Sequence, residues 1–112
     1  MKRRSYERIQ LDMKVSFLRF KKMYSGTLKN VSKSGMYIES DLPLPFYFNI
    51  DVHIPLISKL RVYITLDNNV FGFPVRVTRL VKDGDSLIGM GVMLLNSPPL
   101  YMDFLRGLTT AN

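Results

Sequence analysis

The sequence lacks cysteine and long apolar runs, and both absences limit what the chain can be. Without cysteine, its 112 residues can form neither a disulfide framework nor a thiolate metal site. The absence of cysteine also fits a reducing compartment. No stretch of about 18 apolar residues occurs, so we expect no membrane-spanning helix. The basic start, Met1-Lys2-Arg3-Arg4, leads into no apolar segment and is not a secretory signal, so we expect a cytoplasmic protein.

Residues that commonly carry enzymatic chemistry are also scarce. There is one histidine, His53, and there are only two glutamates, Glu7 and Glu39. His53 falls on a polar position of an alternating segment, which indicates a surface residue of a strand. No spacing typical of a metal site is present, and no glycine-rich loop opens a helix. We therefore expect a protein that is not an enzyme and that needs no catalytic residue, metal ion or cofactor.

The excess positive charge is confined to the first third of the chain. The formal net charge is +7. Residues 1–40 contain ten Lys or Arg and three Asp or Glu, whereas residues 41–112 contain six of each. A concentrated positive field attracts anionic partners and accelerates their binding. The charge alone is equally consistent with a basic surface that only improves solubility.

The pattern of apolar residues predicts one domain made mostly of β-strands. Apolar and polar residues alternate with a period of two in short segments between turn-forming residues. The predicted strands are a segment that starts at Asp12, then Tyr24–Val31, Met36–Ser40, Ile50–Ile54, Val62–Leu66, Phe71–Val81 and Leu87–Leu95. Turns are predicted at Lys21-Lys22, Asp67-Asn68-Asn69 and Asp83-Gly84-Asp85. Because no helix separates the strands, we expect a small antiparallel barrel or sandwich rather than a parallel α/β fold.

A single helix is predicted after the strands. Ser97 suits its N-cap, Pro98 its first turn and Gly107 its C-terminal stop. An apolar stripe at helical spacing is expected to pack across the barrel, and it consists of Leu100, Tyr101, Phe104, Leu105 and Leu108. The predicted organisation is one domain over 1–112, in which a flexible basic arm, a β-barrel and the helix occupy 1–11, 12–96 and 97–108.

Two short motifs in the basic third carry most of the functional information. Arg4-x-x-x-Arg8 offers two planar guanidinium groups that can grip phosphate oxygens or the acceptor edge of guanine. Asn30-x-Ser32-x-x-Gly35 predicts a polar turn whose donors can face an anion. As an ordinary hairpin, the same motif would have Gly35 at a positive φ. Each motif alone is common in solvated tails or ordinary hairpins. Together they indicate a site, because the arginines precede the first strand and the turn ends the next, so both can meet on one side of the sheet.

In this order, ahead of a β-rich sequence, the motifs resemble those of the PilZ domain, a bacterial receptor for cyclic di-GMP. The resemblance covers nearly the whole chain, since Ile88–Leu94 is similar to the family's last strand and a predicted helix follows it. It implies an all-β fold, namely a six-stranded antiparallel β-barrel with a C-terminal α-helix. It also implies binding of cyclic di-GMP, often as a stacked dimer of the dinucleotide.

By matching position, the resemblance implies a ligand-binding set that contains Arg3, Arg4, Arg8, Asn30, Ser32 and Gly35. The arginines would clamp phosphates and guanines, with Arg3 in a supporting role, and the turn residues would hold the other side of the ligand. The chemistry agrees with this assignment, because an arginine plane stacks on a base while its fork meets N7 and O6 or a phosphate. A lysine would supply charge without the stacking or the bidentate geometry.

The implied function is that of a receptor and adaptor in second-messenger signalling. Cyclic di-GMP would order the mobile arm over the barrel, and the rearranged surface would engage a protein effector of motility, adhesion or exopolysaccharide synthesis. Two alternatives stay open at the level of sequence. A small basic barrel with surface aromatics such as Tyr6, Tyr24 and Tyr37 could bind single-stranded nucleic acid. A PilZ-like scaffold could also act through protein contacts without any ligand.

Overall fold

A computed structural model describes residues 8–45, 48, 59–66, 68–96 and 99–110. Within these ranges the strands are β1 (Ile9–Arg19), β2 (Lys22–Val31), β3 (Gly35–Leu44), β4 (Lys59–Leu66), β5 (Asn69–Asp83) and β6 (Ser86–Leu94), and the C-terminal helix is α1 (Pro99–Thr110). All strand pairs are antiparallel, and the strands close into a barrel in the order β1-β2-β3-β6-β5-β4. The predicted six-stranded antiparallel barrel with a C-terminal helix is confirmed.

The barrel interior is filled by the side chains that the period-two pattern directs inward. Every strand contributes at least one apolar side chain with no exposed surface, and these include Phe17, Leu28, Ile38, Val62, Val75 and Met90. Burial of one such side chain contributes roughly 1.5–3 kcal/mol. One continuous core therefore holds all six strands in the register that positions the surface described below.

The helix α1 packs on this core through most of the predicted apolar stripe, but the predicted burial of Leu100 is wrong, because its side chain is 54% exposed. Tyr101, Phe104 and Leu105 are buried, and the Tyr101 ring meets Phe73 edge-on at a centroid distance of 5.4 Å. The predicted C-terminal stop at Gly107 is wrong, because the helix continues to Thr110. A single exposed glycine costs a helix only about 1 kcal/mol, which the packed stripe outweighs. In the described part of the chain, no helix has the length and apolar character needed to cross a membrane.

The first strand begins three residues earlier than predicted. Strand β1 starts at Ile9 rather than Asp12, because Ile9 and Leu11 are half-buried against the core and Ile9 pairs with Val31. The last part of the predicted arm thus belongs to the barrel. Residues 1–7 lie outside the described residues.

The chain reverses between β1 and β2 one residue before the predicted turn. Phe20 and Lys21 form this turn with φ angles of 52° and 65°. Asn68 and Gly84 have positive φ in the turns that were predicted before and after β5. The predicted strand Ile50–Ile54 and the proposed helix cap at residues 97–98 fall on parts of the chain outside the described residues.

Candidate ligand-binding site

A hydrogen bond joins the two motifs. Arg8 Nη1 donates to Asn30 Oδ1 at 2.8 Å, although 22 positions separate these residues in the sequence. The β1–β2 ladder brings them together, since Ile9 follows Arg8 and pairs with Val31, which follows Asn30. Arg8 is exposed and Asn30 is half-buried. The structure therefore places a guanidinium group beside the polar turn on the barrel surface.

A β-bulge aims Asn30 outward. Leu28 and Val31 are both fully buried, so two residues, Lys29 and Asn30, lie between successive inward positions where regular alternation allows one. The register of β2 shifts at this point against both β1 and β3. Bulges commonly re-aim side chains next to functional sites. Here the bulge keeps Val31 in the core while the Asn30 amide faces Arg8.

The turn after β2 is closed from within by Ser32 and Gly35. The Ser32 N–H donates to the Gly35 carbonyl at 2.8 Å, and the Ser32 hydroxyl lies 3.5 Å from the same oxygen. Ser32 is buried, whereas Lys33 and Ser34 are exposed. The Ser34 carbonyl accepts a hydrogen bond from the Leu94 N–H at 2.9 Å, which ties the turn to the end of β6. Hydrogen bonds within the turn and to β6 thus hold the backbone that carries the exposed residues Lys33 and Ser34.

Gly35 is required by a close approach and not by its φ. The positive φ expected at Gly35 is not found, and among the described glycines only Gly84 has one. A Cβ atom built on Gly35 would lie 2.6 Å from the carbonyl oxygen of Val92 on β6. That distance is far inside van der Waals contact, and the obstacle is backbone. The last residue of the motif is therefore determined by how closely β3 approaches β6.

Tyr101 of α1 anchors the turn, and the sequence analysis missed this role. Its side chain is fully buried, and its hydroxyl donates to the Ser32 carbonyl at 2.6 Å, with the Gly35 carbonyl 3.2 Å away. Burial raises the pKa of Tyr101 and the charge of Arg8 acts in the opposite direction, so the hydroxyl keeps its proton and remains a donor. One feature of the sequence could have indicated this role, namely a tyrosine within an apolar stripe. A buried phenol usually needs a hydrogen-bond partner.

Removal of the Tyr101 hydroxyl is expected to destabilise the turn while the barrel stays folded. In Tyr101→Phe the ring still fills its place, but a buried carbonyl of Ser32 loses its donor, at a cost of about 1–3 kcal/mol. Urea denaturation should show this decrease in the free energy of unfolding. A matched control is Tyr63→Phe on β4, where the side chain is only half-buried and a change within about 0.5 kcal/mol is expected. Equal stability of Tyr101→Phe and the parent protein would contradict the anchoring role.

A row of paired residues crosses the outer surface from Asn30. Asn30 pairs with Tyr37 on β3, and Tyr37 pairs with Gly91 on β6. Gly91 pairs in turn with Arg79 on β5, whose guanidinium carbon lies 5.4 Å from the Tyr37 ring centroid. This distance is within the range of a cation–π interaction. Gly91 makes room for it, because a Cβ atom there would lie 3.0 Å from Arg79 Cγ and Nε.

A second bulge turns Arg79 outward. The register between β5 and β6 shifts between buried Val77 and exposed Arg79, with Thr78 as the extra residue. The Thr78 hydroxyl holds the bulge by donating to the Gly91 carbonyl at 3.1 Å. Sequence analysis did not place Arg79 or Tyr37 in the site. Gly89 and Gly91 allow their close approach, because a Cβ atom at Gly89 would meet Tyr37 and one at Gly91 would meet Arg79.

The electrostatics of the row favour an anionic or aromatic ligand. Lys29 Nζ donates to Asp12 Oδ1 at 2.5 Å, and this bond together with the charge of Asp12 raises the pKa of Lys29. Burial, and then the charge of Glu39, raises the pKa of Tyr37 against the opposing effect of nearby cations. At neutral pH the row therefore presents a neutral phenol ring beside the cationic Arg79. The described residues contain no group of three or more His, Cys, Asp or Glu side chains that could hold a metal ion.

The family model of the PilZ domain matches residues 2–110. The chain belongs to the PilZ domain family. PilZ domains are ligand-binding regulatory domains and not enzymes. The resemblance inferred from the two motifs is thus confirmed, while no curated protein matches the sequence.

Several solved structures, PilZ domains among them, share the fold of this domain. The PilZ domain of YcgR from Escherichia coli, solved with c-di-GMP, has a TM-score of 0.66 and 18% identity, over 94% of this chain and 87% of that one. The Bacillus subtilis inhibitor of motility, MotI/DgrA, has a TM-score of 0.63 and 18% identity, over 98% of this chain and 53% of that one. The MrkH–c-di-GMP complex of K. pneumonia has a TM-score of 0.62 and 14% identity, over 100% and 56%. The chain thus spans about half the length of the MotI/DgrA and MrkH chains.

Proposed function

We propose that this PilZ domain is a receptor for cyclic di-GMP that passes the signal to a protein effector. The observation that carries the proposal is the hydrogen bond from Arg8 to Asn30, which unites the two motifs in one surface site. YcgR and MrkH, two proteins of similar fold, have been solved with c-di-GMP. In this proposal residues 1–112 act as one cytoplasmic domain without a catalytic role.

Arg8 and Asn30 would contact the ligand directly. Cyclic di-GMP carries two phosphates and two guanines, and a guanidinium fork can meet either a phosphate or the N7 and O6 edge of guanine with two hydrogen bonds. The Asn30 amide adds both a donor and an acceptor. Arg4 would act as the second clamp, with Arg3 in support, and both lie outside the described residues. Positive charge would then surround the ligand on its β1 side.

Ser32 and Gly35 would hold the other side of the ligand mainly by shaping the turn. Both are buried, and their hydrogen bonds fix the backbone that carries the exposed residues of the turn. Beyond Asn30, Tyr37 and Arg79 extend the surface by three strand spacings, or about 14 Å. This length leaves room for both halves of a cyclic dinucleotide, with the Tyr37–Arg79 pair under one guanine.

Signalling would begin when a ligand phosphate competes with Asn30 for Arg8. The bond between them must break or rearrange, so the guanidinium group turns toward the ligand. Residues 1–7 are joined directly to Arg8 and would follow it over the barrel, which alters the surface offered to an effector. The effector would belong to a motility, adhesion or exopolysaccharide system.

A side-by-side titration tests the proposed ligand class. Cyclic di-GMP, GMP and a single-stranded oligonucleotide are titrated into the full chain by calorimetry at two salt concentrations. We expect cyclic di-GMP to bind at least roughly tenfold more tightly than GMP, since a second guanine–phosphate unit need add only about 1.4 kcal/mol. Its salt dependence should be shallow, because only two phosphates are available to release counterions.

Two outcomes would contradict the proposal. Tighter binding of the oligonucleotide with a steep loss of affinity at high salt would identify a nucleic-acid binder. No binding of any of the three compounds would identify a scaffold that acts through protein contacts alone.

A further inference from the structure

The β1–β2 hairpin exposes apolar and cationic side chains together. Phe20 is 66% exposed and Met23 is 55% exposed, and Leu42 on the adjacent strand β3 is 76% exposed. Lys21 and Lys22 lie between the first two and are exposed as well. Leu42 borders the same surface depression as Lys22 and Met23. These five residues form a surface that we call the tip.

The backbone at Phe20 and Lys21 has a conformation that glycine and asparagine adopt more readily than phenylalanine or lysine. Phe20 and Lys21 have φ angles of 52° and 65°, the signs that a type I′ hairpin turn requires at both central positions. Asn-Gly is the preferred pair there, and a bulky residue at positive φ is rare. The geometry of the turn therefore does not explain why Phe20 and Lys21 occupy these two positions. An unusual residue held in such a conformation points to a role outside the fold.

The buried guanidinium group of Arg19 packs against the Phe20 ring. The Arg19 guanidinium carbon lies 4.5 Å from the Phe20 ring centroid and 4.6 Å from that of the buried Phe48. Arg19 itself is almost fully buried. One region of the Phe20 ring is therefore fixed against the protein, while two thirds of the side chain remains open to solvent.

Among the described residues, the charge around the tip is positive on the β1–β2 side. The nearby carboxylate of Asp41 forms an ion pair with Lys14 at 3.0 Å, so its charge is balanced locally. Asp83 and Asp85 belong to the β5–β6 hairpin at the same end of the barrel, beyond β3 and β6. A contact with an anionic surface would therefore be confined to the β1–β2 corner. Lys21 and Lys22 would supply its charge complementarity.

We propose that the tip docks on an anionic membrane surface. A hairpin that presents apolar side chains flanked by lysines suits the lipid headgroup region, where the apolar groups enter the interface and the lysines meet lipid phosphates. A protein partner fits less well, because lysine is depleted in protein interfaces and such interfaces need a broader patch. Arg8 lies at the other end of β1, roughly 35 Å away for an 11-residue strand. The candidate ligand site thus stays open to solvent when the tip is docked.

A turn-optimised variant tests the proposal without weakening the fold. The double substitution F20N/K21G installs the preferred Asn-Gly pair while it removes the aromatic ring and one charge. The full chain and the variant are mixed with vesicles of phosphatidylcholine, with or without phosphatidylglycerol, and sedimented. We expect the parent to bind only the anionic vesicles, and F20N/K21G to bind them at least roughly tenfold more weakly. The control Val70→Thr, at an exposed apolar residue of β5, should bind like the parent.

A second variant reports insertion directly. The sequence contains no tryptophan, so Phe20→Trp introduces a single emission probe at the tip. We expect a blue shift with anionic vesicles that added salt reduces, and none with phosphatidylcholine alone. The proposal is overturned by absence of binding to anionic vesicles, by equal binding of F20N/K21G, or by equal binding to neutral vesicles. It is also overturned if only an acidic polypeptide such as polyglutamate is bound. None of these readouts depends on cyclic di-GMP, so they stand apart from the test of the proposed function.

Discussion

Replacement of Arg8 by lysine is expected to weaken cyclic di-GMP binding nearly as much as replacement by alanine. Both variants should lose roughly 2 kcal/mol or more, because a charge pair is truncated in a partly desolvated contact. That corresponds to an affinity about thirtyfold lower. Lysine keeps the positive charge, but it lacks the planar fork that bonds phosphate or guanine with two parallel hydrogen bonds. It also lacks the reach and geometry with which Arg8 Nη1 now meets Asn30 Oδ1 at 2.8 Å.

Calorimetry on the two Arg8 variants, with Arg61→Ala as the matched control, measures this effect. Arg61 is exposed and pairs across to Leu18, near the end of β1 opposite Arg8. Its removal lowers the net charge by the same amount as Arg8→Ala, but far from the site. Arg61→Ala should therefore bind within about twofold of the parent if long-range charge is mostly screened. A lysine variant that binds like the parent would show that Arg8 acts only as a charge.

Gly35→Ala is expected to destabilise the whole domain and to abolish ligand binding with it. The new Cβ would lie 2.6 Å from the Val92 carbonyl oxygen, so β3 and β6 must separate or the turn must shift. Overpacking of this kind typically costs about 1–3 kcal/mol, and the rigid backbone neighbour places this case near the upper end. The thermal midpoint should fall by roughly 10 °C or more for a domain of this size.

The control for this prediction is a second glycine-to-alanine change in the same chain. Gly107 lies within α1, and a Cβ atom there would meet nothing within 4 Å. Gly107→Ala should raise stability by up to about 1 kcal/mol, because alanine favours the helix. Thermal denaturation of both variants separates the effect of the site from that of glycine replacement in general. A Gly35→Ala protein as stable as the parent would show that the approach of β3 to β6 relaxes at little cost.

The barrel could be predicted from the sequence because its core follows simple alternation. Phe17 and Val62 each lie in a segment where apolar and polar residues alternate, and both are fully buried. The period of two assigned the strands, and because the sequence predicted no helix between them, we did not expect a parallel sheet. Strand ends were less predictable. Ile9 extends β1 because it pairs with Val31, a contact that local periodicity does not contain.

The candidate site could be predicted only in part, because bulges and distant contacts complete it. The motif residues indicated that Arg8 and the turn share one side of the sheet. The bulge at Thr78 interrupts the alternation on which sequence analysis depends, so the outward position of Arg79 was not evident. Glycine is required at position 35 because the Val92 carbonyl of another strand leaves no room for a Cβ atom. The Tyr101 hydroxyl donates to the Ser32 carbonyl, and no local sequence pattern connects that carbonyl to the helix.

The bond from Tyr101 to Ser32 also has a consequence for biosynthesis. Its two residues are 69 positions apart, and the donor lies beyond all six strands. A growing chain that has left the ribosome as far as β6 can pair its strands, but its polar turn still lacks the phenol that holds it. In the proposed receptor, the ability to bind cyclic di-GMP should therefore arise only after α1 has emerged and folded against the barrel.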